Sequence, residues 1–436
     1  MQKRVLQSFA VISAVLLSTI MAAAQTPPRT SFDVTNYRMD VQILPSQNQL
    51  QAVADVTFAP AAETRTVTFE LNGSLKVESV TRVGGATPAP ATNAKRATPG
   101  ATPASPVTFV QDQVGVSDIG PSVKVDLGEM IAAGVPVTLR FKYAGVLATA
   151  EGGPLLTKRL AYVGDKHGYL KYAARWFPFH DYAADRATSD ITVTLPSGYT
   201  LAGYSDTPVT ATGGKYRFVQ SKPTLVGSFA YGRYAPKTLR FGGYELQFNT
   251  KIGTDQLVSV YGETLGRALE HYTKQYGEPD TGKRLIIAQT DDDTLDFYSA
   301  PWMMLTADKF FEGACQIVEE RLQREAAYQW WGLSVGLKSF DDAWLSQGLA
   351  EYSALELREI GISNAKLEAL QRELLEKSLT FEQTASLLRT PSALDDTSTA
   401  YQYIMFGKGP MVYRLLRETL GADKFNQLLR QFLAQY

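Results

Sequence analysis

The residues of this chain whose types and spacing bear on chemistry lie between Arg324 and Tyr352, in REAAYQWWGLSVGLKSFDDAWLSQGLAEY. On a helix, positions i and i+4 share one face, and two histidines placed so, with a glutamate beside them, hold a zinc ion whose bound water the glutamate activates. Here that frame reads Arg324-Glu325-Ala326-Ala327-Tyr328, and eighteen residues separate Tyr328 from Gln347. Arg324 carries five donors, a permanent positive charge and no lone pair, so it repels a cation. Tyr328 could bind metal only as phenolate, which a reference pKa of about 10 makes costly near neutral pH. Gln347 offers a neutral carbonyl oxygen. A fully ligated structural zinc is worth about 10–16 kcal/mol, so a helix frame without its two histidines keeps little affinity. Glu325 survives as a base with no metal-bound water to activate.

The flanking residues Gln329, Trp330, Trp331, Gly332, Trp344, Leu345, Gly348, Ala350 and Tyr352 give the stretch its wider identity. With the eighteen-residue spacing, it resembles the aminopeptidase N family of zinc metallopeptidases, gluzincins with a thermolysin-like domain. Their pattern is HExxHxWxG followed, eighteen residues later, by the glutamate of WLNEGxAxY. The resemblance implies that Glu325 stands at the general base and that Arg324, Tyr328 and Gln347 stand at the three ligand positions. Phe406-Gly407-Lys408-Gly409 matches the family's YEKG, whose tyrosine hydrogen-bonds the oxyanion, a contribution of about 3–4 kcal/mol; Phe406 lacks that hydroxyl. The family's GxMEN segment, which holds the substrate's amino terminus through its glutamate, corresponds to Ser299-Ala300-Pro301-Trp302-Met303-Met304-Leu305. This places Met303 and Met304 at the substrate-binding positions, without a carboxylate.

Other chemistry-bearing residues read more plainly. Tyr401 and Tyr403 lie close to Phe406 but are expected to be packing or surface residues. Trp330, Trp331 and Trp344 would make a substrate platform, though core packing is the default for at least two of them. Cys315, the one cysteine, excludes an intrachain disulfide and is expected to be a small buried hydrophobe. Asp291-Asp292-Asp293 lacks the glycine and spaced ligands of a calcium loop and reads as a solvated turn. His167, His180 and His271 have no metal-ligand spacing with one another.

Met1-Gln2-Lys3-Arg4, an apolar run from Phe9 to Met21 and Ala22-Ala23-Ala24 form the pattern of a secretory signal peptide over residues 1–24. The run is shorter than the roughly 20 residues of a membrane span, so no span is expected after cleavage. The protein is expected to be secreted or periplasmic. With 43 basic against 44 acidic residues, no global field points to nucleic acid.

From residue 28 to about 237 the pattern alternates apolar and polar residues, as in Tyr37–Ile43, Ala52–Phe58 and Arg65–Leu71, with Gly, Pro and Asn between. This predicts an N-terminal all-β sandwich or saddle domain, interrupted by an Ala/Thr/Pro-rich flexible loop at 84–106. Ala174–Pro196 is similar to the segment that closes the family's N-terminal domain, and Tyr231-Gly232-Arg233-Tyr234 to its boundary strand. From 238 to 436 the period becomes helical. Expected there are a helix over Val258–Tyr276, a short buried strand at Leu285–Ala288, a long helix from Phe310 to about Gly332, and a helix carrying Gln347 capped by Asp341 or Asp342. Helices after Ser363 and on both sides of Gly421 complete a thermolysin-like, mainly helical domain, ending at Tyr436 as a compact form or continued by further chain.

The expected fold is therefore α+β and multidomain. By fold the chain is a metallopeptidase; by site chemistry it is an inactive one, with no cofactor expected and a peptide or a periplasmic protein as partner. Two alternatives stay open: an active zinc aminopeptidase with other ligands, such as Glu325 with Glu351, and an interaction module acting through the β domain. Arg324 is expected to fill the metal position by pairing with Glu325 or Glu351, or by bridging to Gln347.

Overall fold

The computed structural model describes residues 32–84, 105–112, 122–147, 158–172, 175–181, 185–279, 282–313, 315–389, 394 and 398–436. The expected signal peptide and most of the loop at 84–106 lie outside the described residues. The end of that loop is ordered: Ser105–Pro106 pairs with Leu75–Val83 through Arg82 and Thr81.

Alternating patterns become strands because successive side chains point to opposite faces, so one face can be buried while the other meets water. Phe32–Leu44 follows this rule on both sides of a bulge between Val34 and Asn36, where the phase shifts by one residue. It pairs antiparallel with Gln49–Pro60 and parallel with Ala187–Thr194 at the centre of an eight-stranded sheet. That sheet shares one core with a three-stranded sheet built on Thr64–Glu70 and Ser122–Ile131. Trp176 and Phe177 fill the core, held by buried Arg175, whose Nε lies 3.1 Å from Glu70.

A four-stranded sheet of Thr200–Gly203, Phe229–Gly232, His167–Leu170 and Ala161–Val163 completes the N-terminal unit. The next strand, Tyr234–Phe241, belongs to a different sheet, so sheet membership changes at Arg233, just ahead of the boundary expected near 237. This second sheet has five strands, in the order Tyr234–Phe241, Tyr244–Lys251, Arg284–Thr290, Met303–Ala307 and Phe297–Ala300. One face, through Ile286, Ala288, Ala300, Met303 and Leu305, packs on Tyr169, Ala202 and Ala230 of the four-stranded sheet. The other, through Leu246, Phe248, Leu285, Ile287 and Met304, packs on the helices.

The helix Val258–Tyr276 stops where expected, at Gly277 with φ 106°. The helix expected from Phe310 to Gly332 is instead nine residues, Glu319–Ala327. A 3₁₀ turn at Asp308–Phe310, Gly313 at φ 82° and the extended Val318 interrupt the chain ahead of it. Past Ala327 the chain tightens, and Trp330 N–H donates to Ala327 O at 3.1 Å. Cys315 is exposed on this irregular segment, not buried on a helix. Asp342 precedes the helix Ala343–Glu359 without a side-chain capping bond. No described helix is long and apolar enough to cross a membrane.

Asp291-Asp292-Asp293 is only in part the solvated turn expected: the Asp293 side chain is 73% exposed, but Asp292 is buried. The three carboxylates meet three bases of the N-terminal unit: Asp291 pairs with His167, Asp292 with Lys171, and Asp293 with Arg159 at 2.5 Å. Lys171 and Asp292 are each 1% exposed in their side chains. Burial drives the Lys171 pKa down, opposed by the Asp292 charge. The run is an ionic seam between the two units, legible only once the sheets are stacked.

Candidate functional site

Three elements meet at the expected site. Glu319–Ala327 begins with Glu319 and Glu320 in its first turn, where the helix dipole favours negative charge, and carries Arg324 and Glu325 at its end. Ala343–Glu359 carries Gln347 and Glu351 one turn apart. A π-helical turn, Ile404–Lys408, carries Phe406; such widened turns recur at functional sites. Close approach of backbones fixes the second and third elements together: a Cβ on Gly348 would lie 3.1 Å from the Gly409 carbonyl carbon. Gly332, at φ 124°, turns the chain away beside Ser346.

Arg324 occupies the heart of this junction. Its Nη1 donates to Glu351 Oε2 at 2.9 Å, and its guanidinium carbon sits 4.2 Å from the centroid of the Phe406 ring. The residue is 9% exposed. Burial works to lower its pKa, but the Glu351 and Glu325 carboxylates and the bond to Glu351 outweigh it and the net shift is upward, so the charge stays. Of the pairings expected for Arg324, the one formed is with Glu351.

Glu325 is 2% exposed. One carboxylate oxygen faces Arg321 Nε at 2.7 Å and the other accepts from Ser299 Oγ at 2.6 Å. Tyr328 sits just past the helix end, where burial pushes its phenol upward in pKa, so phenolate is even less accessible than in water. Gln347 Oε1 accepts from Tyr401 at 3.3 Å. Tyr401, expected as packing or surface, is buried with its hydroxyl turned into the site; Tyr403 does pack, against Phe381.

These side chains line a cleft of roughly 370 Å³. Its outer wall is the edge strand Phe297–Ala300, contributing Phe297, Tyr298 and Ser299. Met303 and Met304 do not line it. They lie on the neighbouring inner strand, Met303 turned toward the four-stranded sheet and Met304 toward the helices. The hairpin between the two strands is clamped by Gln329, whose Oε1 accepts from Trp302 N–H at 2.8 Å and whose Nε2 donates to Ala300 O at 3.3 Å. Phe297, Tyr298 and Arg321 are among the site residues that sequence reasoning passed over, and Ser299 entered it only as the start of the matched segment. The signal was the helix-side carboxylate at Glu325, which needs a donor from a neighbouring strand.

Trp330 and Trp331 are buried in the helical core, and Trp344 stacks on Tyr413. None lines the cleft.

The residues present do not fit zinc. The three ligand positions hold a guanidinium, a phenol and a carboxamide, and Arg324 places fixed positive charge where the cation would be. Among the described residues no three His, Cys, Asp or Glu side chains gather into a metal-binding group.

Comparison with known proteins agrees with this architecture. Residues 293–436 match the Peptidase family M1 domain. Human aminopeptidase N is 27% identical over 122 residues, 26% of this chain and 12% of that protein. The rice aminopeptidase M1-B is 23% identical over 372 residues, 77% of this chain and 40% of that protein. The matches thus span less than half the length of these curated relatives. Among solved structures, the M1 zinc metallopeptidase from Deinococcus radiodurans superposes with a TM-score of 0.69 at 18% identity, covering 94% of this chain and 88% of that one. A mutant of it bound to a Tyr-Ser-Ala substrate superposes with a TM-score of 0.67 at 18% identity, covering 93% and 87%. The M1 domain match thus runs across the frame that holds Arg324, Tyr328 and Gln347, and the chain as a whole shares the fold of two-domain M1 zinc metallopeptidases.

Proposed function

We propose that this protein is an exported, noncatalytic member of its family, a pseudopeptidase that holds no zinc and keeps its cleft for binding peptides. The observation that carries the reading is the Arg324 contact with both Glu351 and Phe406. Two replacements on different helices, at a ligand position and at the oxyanion position, fit each other as cation and ring.

The active alternative would call on Glu325 and Glu351 as ligands. Each is already neutralised by an arginine, Arg321 and Arg324, and a metal would have to displace both. The site has no residue suited to hold the Lewis acid that activates water in a zinc peptidase, and Phe406 lacks the hydroxyl expected at the oxyanion position. Peptide binding is supported by the open cleft and by the peptide held by the Deinococcus radiodurans relative. Export is supported by the basic, apolar and alanine-rich succession of residues 1–24.

Elemental analysis of the purified protein after dialysis against trace zinc tests the reading, beside an assay on aminoacyl anilides. The expected result is no stoichiometric metal and no turnover. One zinc per chain, lost in Glu325→Ala, would overturn it.

A further inference from the structure

The cleft is unbalanced in its hydrogen-bonding capacity. Three of its acceptor groups are engaged: both Glu325 oxygens face Ser299 and Arg321, Glu351 Oε2 holds Arg324, and Gln347 Oε1 takes the Tyr401 hydroxyl. Its donors are not. Among the described residues, Arg324 makes one hydrogen bond, from Nη1, and its buried Nε has no partner. Neither the Tyr328 hydroxyl nor the Gln347 amide nitrogen has a described partner. Tyr328 keeps its proton because burial raises its pKa, so it can donate.

These donors lie together. Arg324 and Tyr328 share a face one turn apart, as do Gln347 and Glu351 on the facing helix. The Arg324–Glu351 bond fixes one end of this quartet. At the other end, a Cβ on Gly332 would touch both Ser346, at 3.3 Å, and Tyr328, at 3.9 Å, so Tyr328 lies beside the turn that carries Gln347. A ligand amine would need a free carboxylate, and Glu325, the one carboxylate of the described lining, is buried and paired.

We propose that the cleft recognises a carboxylate of a short peptide, received by Arg324, Tyr328 and Gln347, with the ligand's apolar part against Phe297, Leu333 and Leu337. This rests on the peptide-binding reading above and adds its polarity. A guanidinium, a phenol and an amide suit a two-oxygen anion, and bonds to a charged acceptor are about twice as strong as neutral ones. The carboxylate is that of the peptide's C-terminus or of an acidic side chain.

Isothermal titration calorimetry on the mature full chain tests this with four probes: Leu-Phe, N-acetyl-Leu-Phe, Leu-Phe amide and Glu-Leu amide. Expected is equal binding of the first two, with the Leu-Phe amide weaker by about tenfold or more. Glu-Leu amide binding as well as Leu-Phe assigns the carboxylate to a side chain; weaker binding assigns it to the C-terminus. Equal affinity for Leu-Phe and its amide would overturn carboxylate recognition and leave the peptide-binding reading standing. Loss on acetylation would overturn it in favour of amine recognition. No binding by any probe would overturn both. Arg324→Gln should lose about tenfold in affinity for Leu-Phe. Tyr328→Phe, which removes one hydroxyl and strands no charge, should weaken acid binding severalfold while leaving amide binding and Tm unchanged. Equal loss for acid and amide would count against the proposal.

Discussion

The Arg324 guanidinium carbon sits 4.2 Å from the centroid of the Phe406 ring while its Nη1 holds Glu351 at 2.9 Å. One side chain thus ties together the short helix, the helix that faces it and the π-helical turn. Removal of this side chain should therefore be felt as lost stability.

Arg324→Met leaves the Glu351 carboxylate partly buried without its cation. Breaking such a pair from one side costs about 3–5 kcal/mol when fully buried, and somewhat less is expected here because Glu351 retains some access to solvent. Urea denaturation should show a lower midpoint for the single variant. Adding Glu351→Leu should recover most of the loss, since replacing both partners removes the stranded charge. Equal destabilisation in single and double variants would mean the pair carries no coupling.

The same argument applies to the seam between the units. Lys171→Met strands Asp292 in a site where both side chains are 1% exposed, and a cost of about 3–5 kcal/mol is expected. Because the pair bridges the units, limited proteolysis should speed up in this variant at the segments that join them. A variant with unchanged stability and cleavage would remove the seam from the forces joining the units.

Glu356 gives a pH prediction. Burial is the largest cause of its pKa lying above the ordinary 4.5, partly offset by Arg417 and Gln275. A carboxyl with a raised folded pKa favours the folded state while protonated, and that advantage is lost as pH rises from 4.5 through the folded value. Glu356→Gln keeps an acceptor for Gln275, which donates at 2.6 Å, and never ionises. The variant should therefore be more stable than the parent at pH 7, with the difference shrinking toward zero near pH 4. A difference that grew on acidification would reverse the sign.

Restoring the metal chemistry should need more than its ligands. Arg324→His, Tyr328→His and Gln347→Glu together should bring about one zinc per chain, read by elemental analysis, because the helices that would hold them are in place. Turnover should remain low until Phe406→Tyr is added, which is expected to raise it by about 10²–10³. Zinc uptake with full activity in the triple variant would show the oxyanion position to be dispensable.

Cys315 is exposed, so one thiol per chain should react rapidly with a disulfide reagent under native conditions. A thiol that reacts only after denaturation would restore the buried placement expected from sequence.

Much of the site was legible in the chain itself, for a local reason. Spacing of four along a helix and the types of residue at Arg324, Tyr328 and Gln347 decide by their own chemistry that zinc has poor ligands here. Period-2 alternation fixed the strands of the first unit, and Gly277 and Gly421 marked helix ends, because these are properties of neighbouring residues.

What failed was non-local. Asp291, Asp292 and Asp293 read as solvated because nothing nearby in sequence neutralises them; their partners, His167, Lys171 and Arg159, arrive only when two sheets stack. Met303 and Met304 were placed in the cleft by segment matching, yet an inner strand turns alternate residues to its two covered faces and leaves the border to its hairpin partner. The choice of Glu351 for Arg324, the Phe406 ring beneath it and the Tyr401 hydroxyl on Gln347 were likewise settled by how three helical segments cross. Sequence alone determined which residue types stand at Arg324, Tyr328 and Gln347; only the packing of distant segments decided what they meet, since a charge or a hydroxyl finds its partner through space and not along the chain.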